Sequence, residues 1–242
     1  MEWPHLNHAP VVEGLIDLQV EGVSEMALKS LTDCADSLAA DFPSREELRT
    51  FMGQIGFSTG GDPSITAQGP APAGVVLRSA DGKWVVQFRL DGFTLSRLEP
   101  YTSWDELTSR ARTLWSSYSR AAKPDRIVRV ASRFINRIPL PPDQPFEKTF
   151  ATTFTLAAKL PQTVVGYLLR VVVPFEREGV MAIITQALPQ NTKDCTFDLD
   201  VFAMNPDGMS EAELWSKLDQ LRDVKNRLFF ESLTAEALDK FK

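Results

Sequence analysis

Two stretches of this chain repeat each other at matched spacing, which constrains the fold more than any single motif. Phe88-Arg-Leu-Asp91-Gly-Phe93 and Phe197-Asp-Leu-Asp200-Val-Phe202 share F-x-L-D-x-F. Each is followed by S-x-x-E-L, at Ser103 to Leu107 and again at Ser210 to Leu214. The motifs recur at offsets of 109 and 107 residues, so the halves align with a gap of two. Alternation in the first motif and a capping box in the second predict a strand feeding a helix, twice. One such unit leaves a sheet face that its helices, or its twin, must bury. The expectation is an α+β protein of two similar β-α-β-β-β-α repeats, residues 1–123 and 124–242. Their antiparallel sheets would lie side by side with helices packed on one face. At 242 residues and 43% hydrophobic content, the chain is long enough for two domains of this size.

The remaining elements follow from local pattern. His8 to Gly22 reads as a strand with Val12, Ile16, Leu18 and Val20 on one face and Glu13 and Asp17 on the other. Ser24 then caps a helix with Leu28, Leu31, Ala35 and Leu38 at 3–4 spacing. Ser44-x-x-Glu47 predicts a second short helix over Ser44 to Met52, and the Gly/Pro/Ser-rich Ser58 to Gly74 predicts a loop. Asp81-Gly82 signals a hairpin between strands at Gly74–Ser79 and Lys83–Asp91, with a third strand at Phe93–Leu98. Ser103 starts a helix striped by Trp104, Leu107, Ala111, Leu114 and Tyr118, and Lys123-Pro124-Asp125 breaks it. Strands at Ile127–Ile138, Val164–Phe175, Val180–Leu188 and Cys195–Ala203 precede a helical region from Ser210.

Charge is uneven. Residues 1–122 hold 10 basic and 16 acidic groups, whereas the remainder balances, so the net charge of −6 belongs to the first half. An acidic half repels phosphate backbones and argues against nucleic-acid binding over the whole surface. Two distant cysteines, Cys34 and Cys195, and no secretory or membrane-spanning stretch point to a cytoplasmic protein with reduced thiols.

The opening His5-x-x-His8-Ala9-Pro10-x-x-Glu13-x-x-Ile16-Asp17, together with Arg129-Val-Ala-Ser-Arg133-Phe134-Ile135-Asn136-Arg137, resembles a sporadically distributed family of uncharacterised bacterial proteins. An A-P-[VI]-x-E start and a central R-[YF]-I-N segment mark that family. Here Phe134 takes the aromatic position as phenylalanine, without a phenol. The resemblance implies association with mobile bacterial systems such as toxin–antitoxin pairs and phage defence, and no activity.

The arginine strand is the most distinctive candidate site. Arg129, Arg133 and Arg137 share one face of a strand whose core side carries Val128, Val130, Phe134 and Ile138. Such a row, with Arg97 as a further cation, could grip a phosphate or carboxylate; alternatively it pairs across strands with Glu13 and Asp17. Asn136 has core-face parity, which suits a buried amide bonding backbone. His5 and His8, with Glu13, are the weak candidates for a metal, and Asp198-x-Asp200 could serve a two-metal phosphoryl-transfer site or be ordinary strand carboxylates. Trp104, Trp115 and Trp215 on helical stripes, and Phe229-Phe230, read as core or as interface anchors. No phosphate-cradling loop or cofactor motif occurs. The expected function is therefore non-enzymatic: a binding protein partnering another protein, encoded nearby, in a defence or toxin–antitoxin type system. The alternatives are a nucleotide- or nucleic-acid-binding module using the arginine face, and a metal-dependent nuclease.

Overall fold

Ten residue pairs, with register shifts at Val11/Glu13 and Gln19/Val20, join the first strand to the strand that follows Pro124, and this seam organises everything else. The computed structural model describes residues 3–4, 6–56, 64–140, 145–190 and 192–242. In chain order the elements are β1 (Val11–Glu21), α1 (Ala27–Ser37), β2 (Ser44–Gly56), β3 (Ser64–Arg78), β4 (Trp84–Arg89), β5 (Gly92–Leu98), α2 (Trp104–Ala122) and β6 (Arg126–Pro139). After a short 3-10 turn, Phe146–Lys148, come β7 (Tyr167–Phe175), β8 (Val180–Leu188), β9 (Asp194–Met209), α3 (Glu211–Ser232) and α4 (Ala235–Asp239). The fold is α+β, with one antiparallel sheet of nine strands ordered β2-β3-β4-β5-β1-β6-β9-β8-β7. Two abutting sheets were expected; the β1–β6 hydrogen bonds merge them into one.

Strand alternation divides that sheet into two faces. Ile16, Leu18 and Val20 of β1 and Val130, Phe134 and Ile138 of β6 are buried, as are Phe197, Leu199 and Val201 of β9. The helices cover this face: α2 packs on β1 and β5, α3 on β6 and β9, and α1 on β3, β4 and α2. Both long helices start as their sequences dictate. Ser103 accepts from the Glu106 N–H at 3.1 Å, and Ser210 forms a reciprocal capping box with Glu213. Their stripes, from Trp104 to Ala122 and from Leu214 to Phe229, enter the core.

Two sequence expectations are corrected. The segment Ser44 to Met52 is not a helix but the start of β2, paired with β3 from Ser44↔Arg78 onward. The capping-box pattern is a local signal, and the ladder with β3 overrides it. The charged edge strand instead completes the pairing of β3; along residues 44–50 it is mostly exposed, Arg45 meeting Asp36 of α1 and Arg49 meeting Glu47. The predicted loop over Ser58 to Gly74 is likewise strand from Ser64; the notional turn at Gly60-Gly61 lies outside the described residues. Pro70 and Pro72 are tolerated because β4 pairs with β3 only from Gly74, leaving that side of the strand without ladder bonds to lose.

Candidate binding chamber

On the open face of the sheet, the arginines meet carboxylates. Arg129 donates to Asp17 at 2.9 Å and to Asp200 at 3.1 Å, with its guanidinium over the Phe202 ring. Arg133 makes a two-pronged contact with Asp198, at 2.9 and 2.6 Å. Asp17 also accepts from Arg89 at 3.0 Å and from Thr94 at 2.7 Å. The ladder therefore crosses the seam in the order Arg89–Asp17–Arg129–Asp200. Burial pushes the Asp200 carboxyl up, with Arg129 and Arg133 opposing that shift, while the bond to Asp198 raises Arg133. Cross-strand pairing with Asp17 is thus present. Glu13, the other acid expected to pair, makes no ion pair with these arginines among the described residues.

The other candidates scatter. Arg137 stands at the far end of β6, 3.6 Å from Glu99, with both side chains more than half exposed. Arg97 lies on the helix side at 6% exposure, against the Trp84 ring that Arg110 also contacts; its Nε and Nη1 have no partner among the described residues. His5 lies outside the described residues, and His8 is tied through its backbone N–H to the Phe241 carbonyl at 3.0 Å. Among the described residues no three His, Cys, Asp or Glu side chains gather as a metal site. Asp198 and Asp200 are spoken for by Arg133 and Arg129.

A cavity of about 980 Å³ opens on the opposite, helix-covered side. Four stretches of chain build it: the N-terminal arm from Trp3, the segment Glu99–Trp104 entering α2, Phe134 to Arg137 of β6, and Arg222 to Phe230 of α3. The arm is held by the His8–Phe241 bond and by Trp3, whose ring stacks on Phe230 with centroids 5.4 Å apart. Phe134 forms the floor, edge-on to Tyr101 at 5.2 Å and beside Trp104 at 6.4 Å. Gly14 makes this possible: a Cβ there would lie 2.9 Å from the Phe134 ring and 3.0 Å from Tyr101.

Polar groups are interspersed among these rings. Asn136 is 1% exposed, and its Nδ2 donates to the carbonyls of Phe197 at 3.0 Å and Phe134 at 3.3 Å. Those two acceptors fix the amide's orientation, since only the NH₂ can face them. Its Oδ1 is then buried with no partner among the described residues, as is the Trp3 Nε1. Lys225 sets its Nζ 4.0 Å from the Phe134 ring centroid and 2.5 Å from the Asn226 Oδ1. Crowding by protein, reinforced by the Arg222 charge, pushes the Lys225 ammonium down to about 7. Burial likewise raises the Tyr101 phenol, which stays neutral. Among the described residues neither Arg222 nor Lys225 has a carboxylate in ion-pair range, whereas Glu99 is shared with Arg137.

Sequence reading found Asn136 as a backbone-bonding amide and singled out Phe229-Phe230, but not Lys225, Arg222 or Tyr101. A signal existed: Lys225 falls four residues after Leu221 and four before Phe229, inside an apolar stripe. No protein-family model matches the chain, and no curated protein matches it. The roles of these residues therefore rest on their own geometry.

Proposed function

We propose that this protein is a binding protein and that the helix-side chamber holds its ligand. The observation that carries the reading is Asn136, which borders the cavity and whose buried Oδ1 has no donor among the described residues. A buried acceptor without a donor costs roughly 1–3 kcal/mol, a cost that a ligand N–H or O–H placed there would remove. Ligand-observed NMR of the full chain against a small-molecule fragment set tests this. Hits should compete for one site and weaken in Asn136→Leu; a set in which no hit depends on Asn136 refutes it. Binding of phosphate by Arg129 and Arg133 is less well supported, because each would first have to leave its carboxylate.

A second reading, partnership with another protein in a defence or toxin–antitoxin type system, has one observation in its favour. Leu168 (71% exposed) and Val172 of β7 pair with Ala187 and Ile183 of β8, and Met204 of β9 pairs with Arg129. Directly opposed residues point the same way, so these exposed apolar side chains extend the ionic face. Co-expression with a neighbouring gene product should give a stoichiometric complex that Leu168→Asp disrupts. Duplication belongs to the same proposal. Outward from the seam, β1-β5-β4-β3 is matched by β6-β9-β8-β7, with α2 and α3 following β5 and β9. In place of α1 and β2, the second half has the 3-10 turn and an irregular stretch.

A further inference from the structure

We infer that the chamber takes an aromatic anion, a planar ring system bearing a phosphate, carboxylate or sulfonate group and at least one N–H or O–H. This rests on the chamber being the binding site and goes further by assigning the ligand's charge and shape. The charge follows from what faces the cavity. Arg222 and Lys225 come from successive turns of α3 with no carboxylate closing on either among the described residues, and the acid at the rim, Glu99, already faces Arg137. A cation would enter against two like charges. A neutral molecule would desolvate Lys225 further without compensating it, and an anion would compensate it.

The shape follows from the walls. Phe134 meets Tyr101 and Trp104 at centroid distances of 5.2 and 6.4 Å, and the stacked Trp3 and Phe230 also line the cavity. Ring faces of this kind favour flat ligands in offset or edge-on contact. The hydrogen-bonding requirement comes from two buried atoms of opposite sense that have no partner among the described residues, the Asn136 Oδ1 that needs a donor and the Trp3 Nε1 that needs an acceptor. The cavity lies at the upper end of the roughly 300–1,000 Å³ usual for small-molecule pockets.

A matched dye pair tests the inference on the full chain. Anilinonaphthalene sulfonate joins a flat naphthalene to a phenyl ring through an N–H and carries a sulfonate; N-phenylnaphthylamine has the same rings and N–H without charge. The sulfonate should bind one-to-one, more tightly than the neutral dye by at least about tenfold. Arg222→Gln, a change at an exposed position, and the double variant Arg222→Gln/Lys225→Gln should lose about that advantage and leave the neutral dye within about twofold. Equal binding of the two dyes, or indifference of the sulfonate to both variants, overturns the anion assignment while leaving the chamber as a site. Failure of both dyes to bind overturns the chamber reading itself. Displacement of the sulfonate by adenosine monophosphate identifies a phosphate-bearing ligand and displacement by indole acetate a carboxylate-bearing one. Displacement by neither restricts binding to the dye and also overturns the assignment.

Discussion

Asp17→Asn tests whether the open-face ladder holds the two sides of the seam together. Asp17 lies on β1, where its Oδ1 accepts from Arg89 and Thr94 and its Oδ2 from Arg129 on β6. The three charged side chains are between 14% and 17% exposed. An asparagine of the same shape keeps one acceptor for Arg89 and Thr94 but turns an NH₂ toward the Arg129 guanidinium, donor against donor. A hydrogen bond to a charged group contributes about 1.5–3 kcal/mol, and breaking a fully buried pair costs about 3–5. Arg129 retains Asp200, and the site is only partly buried, so the expected loss is about 2–3 kcal/mol. For a chain of this length that lowers Tm by about 4–12 °C. Urea unfolding should give a lower midpoint at unchanged slope, since the buried surface is the same. A loss below about 0.5 kcal/mol, the level of an ordinary exposed pair, refutes the argument that the seam depends on this ladder.

Three further outcomes follow from the same geometry. Arg137→Ala, which removes a 3.6 Å pair between exposed groups, should change stability by less than about 0.5 kcal/mol in the same urea assay. Gly14→Ala places a methyl against the Phe134 and Tyr101 rings; it should cost about 1–3 kcal/mol by calorimetry and weaken sulfonate-dye binding as the floor shifts. Affinity for an anionic dye should rise as pH falls from 8 to 6, because Lys225 gains its proton near 7 and binding then draws on the charged form. Among the described residues, the other charged groups bordering the chamber are Arg222 on the same helix, Glu99 and Arg137 at the rim, and His8 on the arm. A profile flattened by Lys225→Gln but not by His8→Gln assigns the effect to the lysine; the reverse assigns it to the histidine and refutes the prediction.

The helices α2 and α3 were legible because cap, stripe and stop agree within each segment: Ser103 to Lys123 can do little else. The Asp81-Gly82 hairpin was legible for the same local reason, with the Asp81 side chain accepting from the Lys83 N–H and Gly82 at φ 68°. The strand β2 was not, because its capping-box pattern is a local signal overruled by pairing with β3. At the sheet face, Arg129 with Arg133 and Asp198 with Asp200 were each read as sharing a face, yet not as partners. That pairing depends on β9 adding directly to β6, with β8 and β7 placed outside it, and strand order leaves no mark on alternation. The chamber was least legible, since it needs the arm, β6 and two helices to converge.

One strand, β6, carries both features. Phe134 and Asn136 face the chamber, while Arg133, between Ala131 and Ile135, faces the ladder, so a single backbone separates a mostly apolar interior from an ionic exterior. The sheet is a partition one residue thick. A molecule lodged on one side and a protein seated on the other would never touch, yet both would press on the same few peptide units. Occupancy of one side can then be felt on the other through the lean of a strand, with no moving domain in between.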